Sequence, residues 1–86
     1  MNINELIAIV KKKIENNTSC EKIDIEDKTF LHVNHKSHNK NKYHIKLTIK
    51  SNELKLLSKI DSNKKIYNIL SNEIQNYIHS IQIHIL

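Results

Sequence analysis

The chain has no glycine, no proline, no tryptophan and no arginine, and it has a single cysteine. Without glycine there is no phosphate-cradling loop of the nucleotide-binding type. The Gly-x-x-Gly clamp that some nucleic-acid modules close on a backbone is absent for the same reason. Without arginine there is no bidentate grip on phosphate or guanine, which lysine does not replace. One cysteine, Cys20, cannot form an internal disulfide, so a reducing compartment fits. No apolar run approaches membrane-spanning length. The N-terminal residues carry acids too early for a secretory or transit leader, and the cytoplasm is the expected location. No Ser-His-Asp or Cys-His set is present, so catalysis is not expected.

At 86 residues the chain is expected to form a single domain over positions 1–86. A domain of this size buries roughly 60–65% of its unfolded surface, which favours a surface site over a deep cleft. The net charge of +5 rests entirely on lysine, with fourteen lysines against nine acids. Lysine, asparagine and isoleucine are all abundant. That combination reflects A+T-rich coding and weakens any inference from charge to nucleic acid.

Ile3, Leu6, Ile7, Val10 and Ile14 form one helical stripe, with Asn2 as cap and Glu5 in capping-box position. Lys11, Lys12 and Lys13 suit the negative end of that helix. It should close near Asn16-Asn17, where asparagine tolerates the left-handed terminal conformation. Ile23 and Ile25 alternate with Asp24 and Glu26 as a first strand. A polar stretch from His32 to Lys42 reads as an exposed loop. Tyr43, Ile45, Leu47 and Ile49 alternate with His44, Lys46, Thr48 and Lys50, the clearest strand in the chain. Residues 51–62 suggest a short helical turn, and a main helix is expected from Asn63 to Tyr77.

The last residues change period from helix to strand. Ile66, Ile69, Leu70, Ile74, Tyr77 and Ile78 recur at helical spacing. Ile81, Ile83 and Ile85 then alternate with Ser80, Gln82 and His84 in a final strand from His79 to Leu86. His79 stands at the switch. An imidazole there either caps the preceding helix or sits on a rim that a partner or a metal can reach. His32, His35 and His38 are either solvated loop residues or ligands. His44 and His84 fall on the polar sides of their strands, which implies solvation without a special role. Lys50, Lys55, Lys59, Lys64 and Lys65 gather near the main helix as a basic edge.

These residues together resemble the BolA family from about residue 22 to the C-terminus. His44-Ile45-Lys46 matches the family's strand motif. Tyr67, Leu70, Glu73 and Ile74 match its helix motif. Ile78-His79-Ser80-Ile81-Gln82-Ile83 matches its ending, and Asp27 to His32 looks like the segment that leads into its variable loop. Ser62, Asn63 and Lys64 stand where members usually carry Arg-His-Arg. Leu54-Lys55-Leu56-Leu57 stands where they carry a Phe-x-Gly-Lys-like turn. The loop after His32 is also longer than usual.

The resemblance implies an α+β, class II KH-like domain of order α-β-β-α-α-β, with a three-stranded mixed sheet covered by helices on one face. It implies a non-enzymatic adaptor in iron–sulfur cluster assembly or trafficking. A monothiol glutaredoxin would share a bridging 2Fe-2S cluster with the chain, supplying a cysteine thiolate and bound glutathione. His79 would be one ligand and His32 the second, with His35 and His38 as loop alternatives; a neutral imidazole suits that role. The alternative is a DNA-binding transcriptional or stress regulator using Lys64 and Lys65, which alone would give weak, non-specific contact. A homodimer is left open.

Overall fold

The computed structural model describes residues 1–29 and 42–86. His32, His35 and His38 therefore lie outside the described residues. The element order is α1 (Ile3–Asn17), β1 (Lys22–Asp27), β2 (Tyr43–Lys50), α2 (Asn52–Lys55), α3 (Lys59–Ile69), α4 (Ser71–Asn76) and β3 (Ile78–Ile85). The sheet order is β1-β2-β3. β1 pairs antiparallel with β2, and β2 pairs parallel with β3, so the sheet is mixed. A parallel neighbour requires a crossover, and α2, α3 and α4 provide it.

Helix α1 starts as its sequence dictates. The Asn2 side chain accepts from the Glu5 backbone N–H at 2.8 Å and donates to Glu5 Oε1 at 3.0 Å. Leu6, Val10 and Ile14, four residues apart, are fully buried. The helix ends at Asn17, but no left-handed residue closes it. Thr18 turns the chain out extended, and its N–H and hydroxyl both donate to the Ile14 carbonyl, at 2.9 and 2.8 Å. No described residue has positive φ. The threonine hydroxyl thus satisfies a carbonyl that a glycine turn would otherwise have satisfied. Lys13 does not serve the helix dipole either; its role is described with the site.

Residues 51–62 contain more than one turn. Ser51 caps α2, accepting from Leu54 N–H at 3.2 Å, and its hydroxyl donates to the Ser19 carbonyl at 2.6 Å. Ser58 then caps α3, accepting from Asp61 N–H at 3.0 Å, so the main helix begins at Lys59 rather than Asn63. It is also interrupted. At Leu70 the backbone opens to φ −100°, ψ 18°, and α4 begins at Ser71. The break falls on a fully buried leucine, so both halves keep their apolar faces inward.

One sheet face carries the core. Ile45, Leu47 and Ile49 of β2 are buried with Leu6, Val10, Ile14, Leu54, Ile66, Leu70 and Ile78. Ile74 of α4 packs against this cluster half-exposed, and so do Ile81, Ile83 and Ile85, because β3 lies at a sheet edge. Cys20, free and half-buried, joins the same cluster, in keeping with a structural role.

Candidate functional site

β2 and β3 meet irregularly at the start of the sheet. Tyr43 pairs with Ile78, but His44 pairs with Ser80, so His79 is an extra residue opposite no partner. Such a bulge re-aims a side chain. Here it leaves the His79 imidazole exposed, one residue past the buried Ile78. Upstream, Tyr77 ends α4, its N–H bonded to the Glu73 carbonyl at 2.8 Å.

His44 lies against this ring. The two imidazole centroids are 4.8 Å apart with planes inclined by 31°. His44 Nδ1 and Ser80 Oγ share a hydrogen bond of 2.6 Å. His44 is only 5% exposed. That corrects the expectation of a solvated residue without a role. Alternation places His44 on the open sheet face, and this holds. Alternation does not show that the end of this face is covered. Thr29 Oγ1 accepts from the His44 N–H at 3.1 Å, and the His44 carbonyl accepts from Lys28 N–H at 2.7 Å. His84, further along β3, is exposed as expected.

Thr29 and Lys42, the described residues on either side of positions 30–41, are both held by hydrogen bonds. Thr29 is fixed by Asp27, whose Oδ1 accepts from its N–H at 2.9 Å and from its hydroxyl at 2.5 Å. Lys42 reaches across to the Gln75 carbonyl at 3.2 Å. An exposed imidazole on a strand start, with a buried imidazole behind it, therefore sits near Thr29, a described residue next to positions 30–41. Among the described residues no group of three or more His, Cys, Asp or Glu is placed to hold a metal ion. Any ligand set must be completed from elsewhere.

Beneath the site lies a contact that sequence reasoning missed. Lys13 Nζ donates to both carboxylate oxygens of Glu73, at 2.8 and 2.7 Å, although the pair is 60 residues apart. The Glu73 side chain is 3% exposed and that of Lys13 is 38%. Burial pushes the Glu73 carboxyl up, but hydrogen bonds from Lys13 and Asn72 outweigh it and hold the group below its usual value. The pair ties α4, the helix that leads into β3, to α1. A buried glutamate in helical register with Ile66 and Leu70 was the only available signal.

The lysine edge is partly used internally. Lys65 bonds Glu53 at 2.7 Å and Lys50 lies 3.5 Å from Glu21. The Lys65 hydrogen bond, then that from the Ser19 N–H, hold the Glu53 carboxyl below its usual range. Lys64 is exposed. The start of α3 borders Ile83 and Ile85, at the opposite end of β3 from His79. The basic and imidazole features do not form one surface.

Among the described residues no helix is long and apolar enough to cross a membrane. A search of curated proteins gives no match. Solved structures do match. The BolA domain of SufE1 from Arabidopsis thaliana aligns with a TM-score of 0.78 at 20% identity, covering 99% of this chain and 92% of that one. BolA1 from Arabidopsis thaliana gives 0.74 at 17% identity, covering 91% and 86%. BolA1 from Mus musculus gives 0.71 at 18% identity, covering 90% of this chain and 60% of that one. At these identities the likeness establishes the fold. The model of the BolA-like protein family matches residues 14–86, including β1, the His44–His79 site and the final strand, and the chain belongs to that family.

Proposed function

We propose that this chain is a non-enzymatic BolA-like adaptor of the cytoplasm in iron–sulfur cluster assembly or trafficking. Its partner would be a monothiol glutaredoxin, with which it would share a bridging 2Fe-2S cluster. The observation that carries this reading is the exposed His79 imidazole, bulged out of β3 against His44, whose backbone N–H bonds Thr29. The donor chemistry fits. A ligand shared between two proteins must stand at a surface, and a neutral imidazole is a good terminal ligand for iron.

His79 stands at the start of β3, with the buried His44 ring behind it and Ser80 bound to that ring. The second donor from this chain would be His32, or His35 or His38 in its place. The glutaredoxin would bring a thiolate and glutathione. When bound, the cluster would supply exchangeable iron and sulfide; an imidazole ligand raises its reduction potential relative to an all-thiolate set.

The test is to mix the chain with a cluster-loaded monothiol glutaredoxin and follow the visible circular dichroism. A new spectrum saturating at one chain per glutaredoxin supports the proposal. An unchanged glutaredoxin spectrum at excess chain rejects it.

A further inference from the structure

The two edges of the sheet differ in kind. β1 carries Lys22, Asp24, Glu26 and Asp27 over six residues. Charged side chains of this sort keep an edge from pairing with another strand. β3 reads Ile-His-Ser-Ile-Gln-Ile-His-Ile and contains no lysine, acid or proline. Its single irregularity, the bulge at His79, protects only its first residues.

The backbone pairing shows which groups of β3 face outward. Leu86 N–H donates to the Ile49 carbonyl, while the Lys50 and His44 carbonyls accept from Glu21 and Lys28. The odd residues of β2 therefore serve β3 and the even residues serve β1. In a parallel ladder each residue turns its N–H and C=O to the same side. Gln82, His84 and Leu86 then face β2, and Ile81, Ile83 and Ile85 turn their backbone groups away from the sheet. Their side chains lie on the core face, half-exposed. Beside them a groove runs between β3 and the α2–α3 corner, with Leu54, Leu57, Ile83 and Ile85 as its apolar part and Lys55, Lys59, Ser62, Asn63 and His84 as its polar part.

We infer that this edge is a self-association surface whose occupant is the β3 strand of a second copy. An antiparallel two-fold centred on Ile83 pairs Ile83 with Ile83 and Ile81 with Ile85. That register uses every outward N–H and C=O of the three isoleucines. It also leaves the bulged His79 outside the pairing. On the open face it sets Gln82 opposite His84 of the second copy. On the core face it places isoleucines of one copy over the groove of the other. A two-fold strand pair brings like sequence against like, so a formally charged edge would repel itself; this edge carries no formal charge when its histidines are neutral. The product is a continuous sheet in the order β1-β2-β3-β3-β2-β1, with the charged β1 strands at both ends. This inference does not depend on the cluster-binding reading.

Three measurements on the full chain test it. Sedimentation equilibrium should give a reversible dimer. Hydrogen exchange should show protection of the Ile81, Ile83 and Ile85 amides that rises with chain concentration. The Gln82 and His84 amides, already bonded to β2, should be protected at every concentration. The variant Gln82→Lys/His84→Lys alters only exposed positions and should keep the fold by circular dichroism. It should raise the dimer dissociation constant about tenfold through facing like charges. In a Cys20→Ser background, Gln82→Cys mixed with His84→Cys should form a crossed disulfide. Non-hydrogen-bonded antiparallel partners lie about 4.5 Å apart at Cα, within disulfide reach. A chain that stays monomeric, or a dimer unaffected by the lysine pair, overturns the proposal. Protection of the odd amides only when an unrelated protein is added also overturns it, in favour of a foreign strand.

Discussion

Removing Lys13 should destabilise the domain more than neutralising Glu73, although the two form one ion pair. The asymmetry follows from burial. Glu73 is 3% exposed and Lys13 is 38%. In Lys13→Ala the carboxylate stays buried with Asn72 as its remaining side-chain donor, at 3.2 Å. Leaving a buried charge without its partner costs about 3–5 kcal/mol. In Glu73→Gln the ammonium can turn to water, and the amide oxygen still accepts a hydrogen bond, so the loss should be nearer about 1 kcal/mol. A domain of this length has roughly 4–13 kcal/mol in total, so the first variant should lose a large part of its stability. Urea unfolding at neutral pH measures both.

Acid supplies a second arm with a defined sign. In the wild type the folded carboxyl lies below its unfolded value, so its contribution is present above the unfolded pKa and is lost as pH falls through the folded one. In Lys13→Ala the chief opposing donor is gone and burial dominates, so protonation should relieve the penalty. The gap between wild type and Lys13→Ala should therefore narrow on acidification. Equal losses in the two variants at neutral pH, or a gap that widens in acid, would refute the reasoning.

Further outcomes follow from the same structure. Leu47→Ala, at a fully buried β2 position, should cost about 2–5 kcal/mol in urea unfolding, and a loss under 1 kcal/mol would contradict its placement in the core. Ile83→Asp should be tolerated better than Leu47→Asp, because Ile83 is half-exposed at the sheet edge; the reverse order in thermal melts would contradict the β3 assignment. Asn2→Ala should cost about 1 kcal/mol by removing the α1 cap, with the helix otherwise intact by circular dichroism. Any DNA binding should be sequence-indifferent and steeply salt-dependent, on the order of 10⁻⁴–10⁻⁶ M at physiological salt; nanomolar, selective binding in a competition assay would promote the regulator reading.

Period and caps carried most of the fold. Asn2, the β2 alternation and the change of period before Ile81 place α1, β2 and β3 to within a residue or two. The main helix was less legible. Ser58, its cap, lies in a leucine-rich stretch that reads as a separate turn, and the break falls on Leu70, an ordinary helix former. Terminal geometry also escaped, because the Thr18 hydroxyl substitutes for a left-handed residue. Within the site, His79 was legible from the switch of period and the family ending. His44 was not, since alternation reports which face a residue takes and not what covers that face. The Lys13–Glu73 pair joins residues 60 apart, and no local pattern encodes such a contact.

The central claim is that His79 is a ligand presented to a partner. The most direct measurement is the visible spectrum of the chain co-purified with a monothiol glutaredoxin, for wild type, His79→Ala and His84→Ala. His84 is an exposed histidine of the same strand, away from the bulge, and serves as control. His84→Ala should keep the wild-type spectrum. His79→Ala should lose the histidine-ligated 2Fe-2S bands while the two proteins still associate. An unchanged spectrum in His79→Ala would contradict the ligand role.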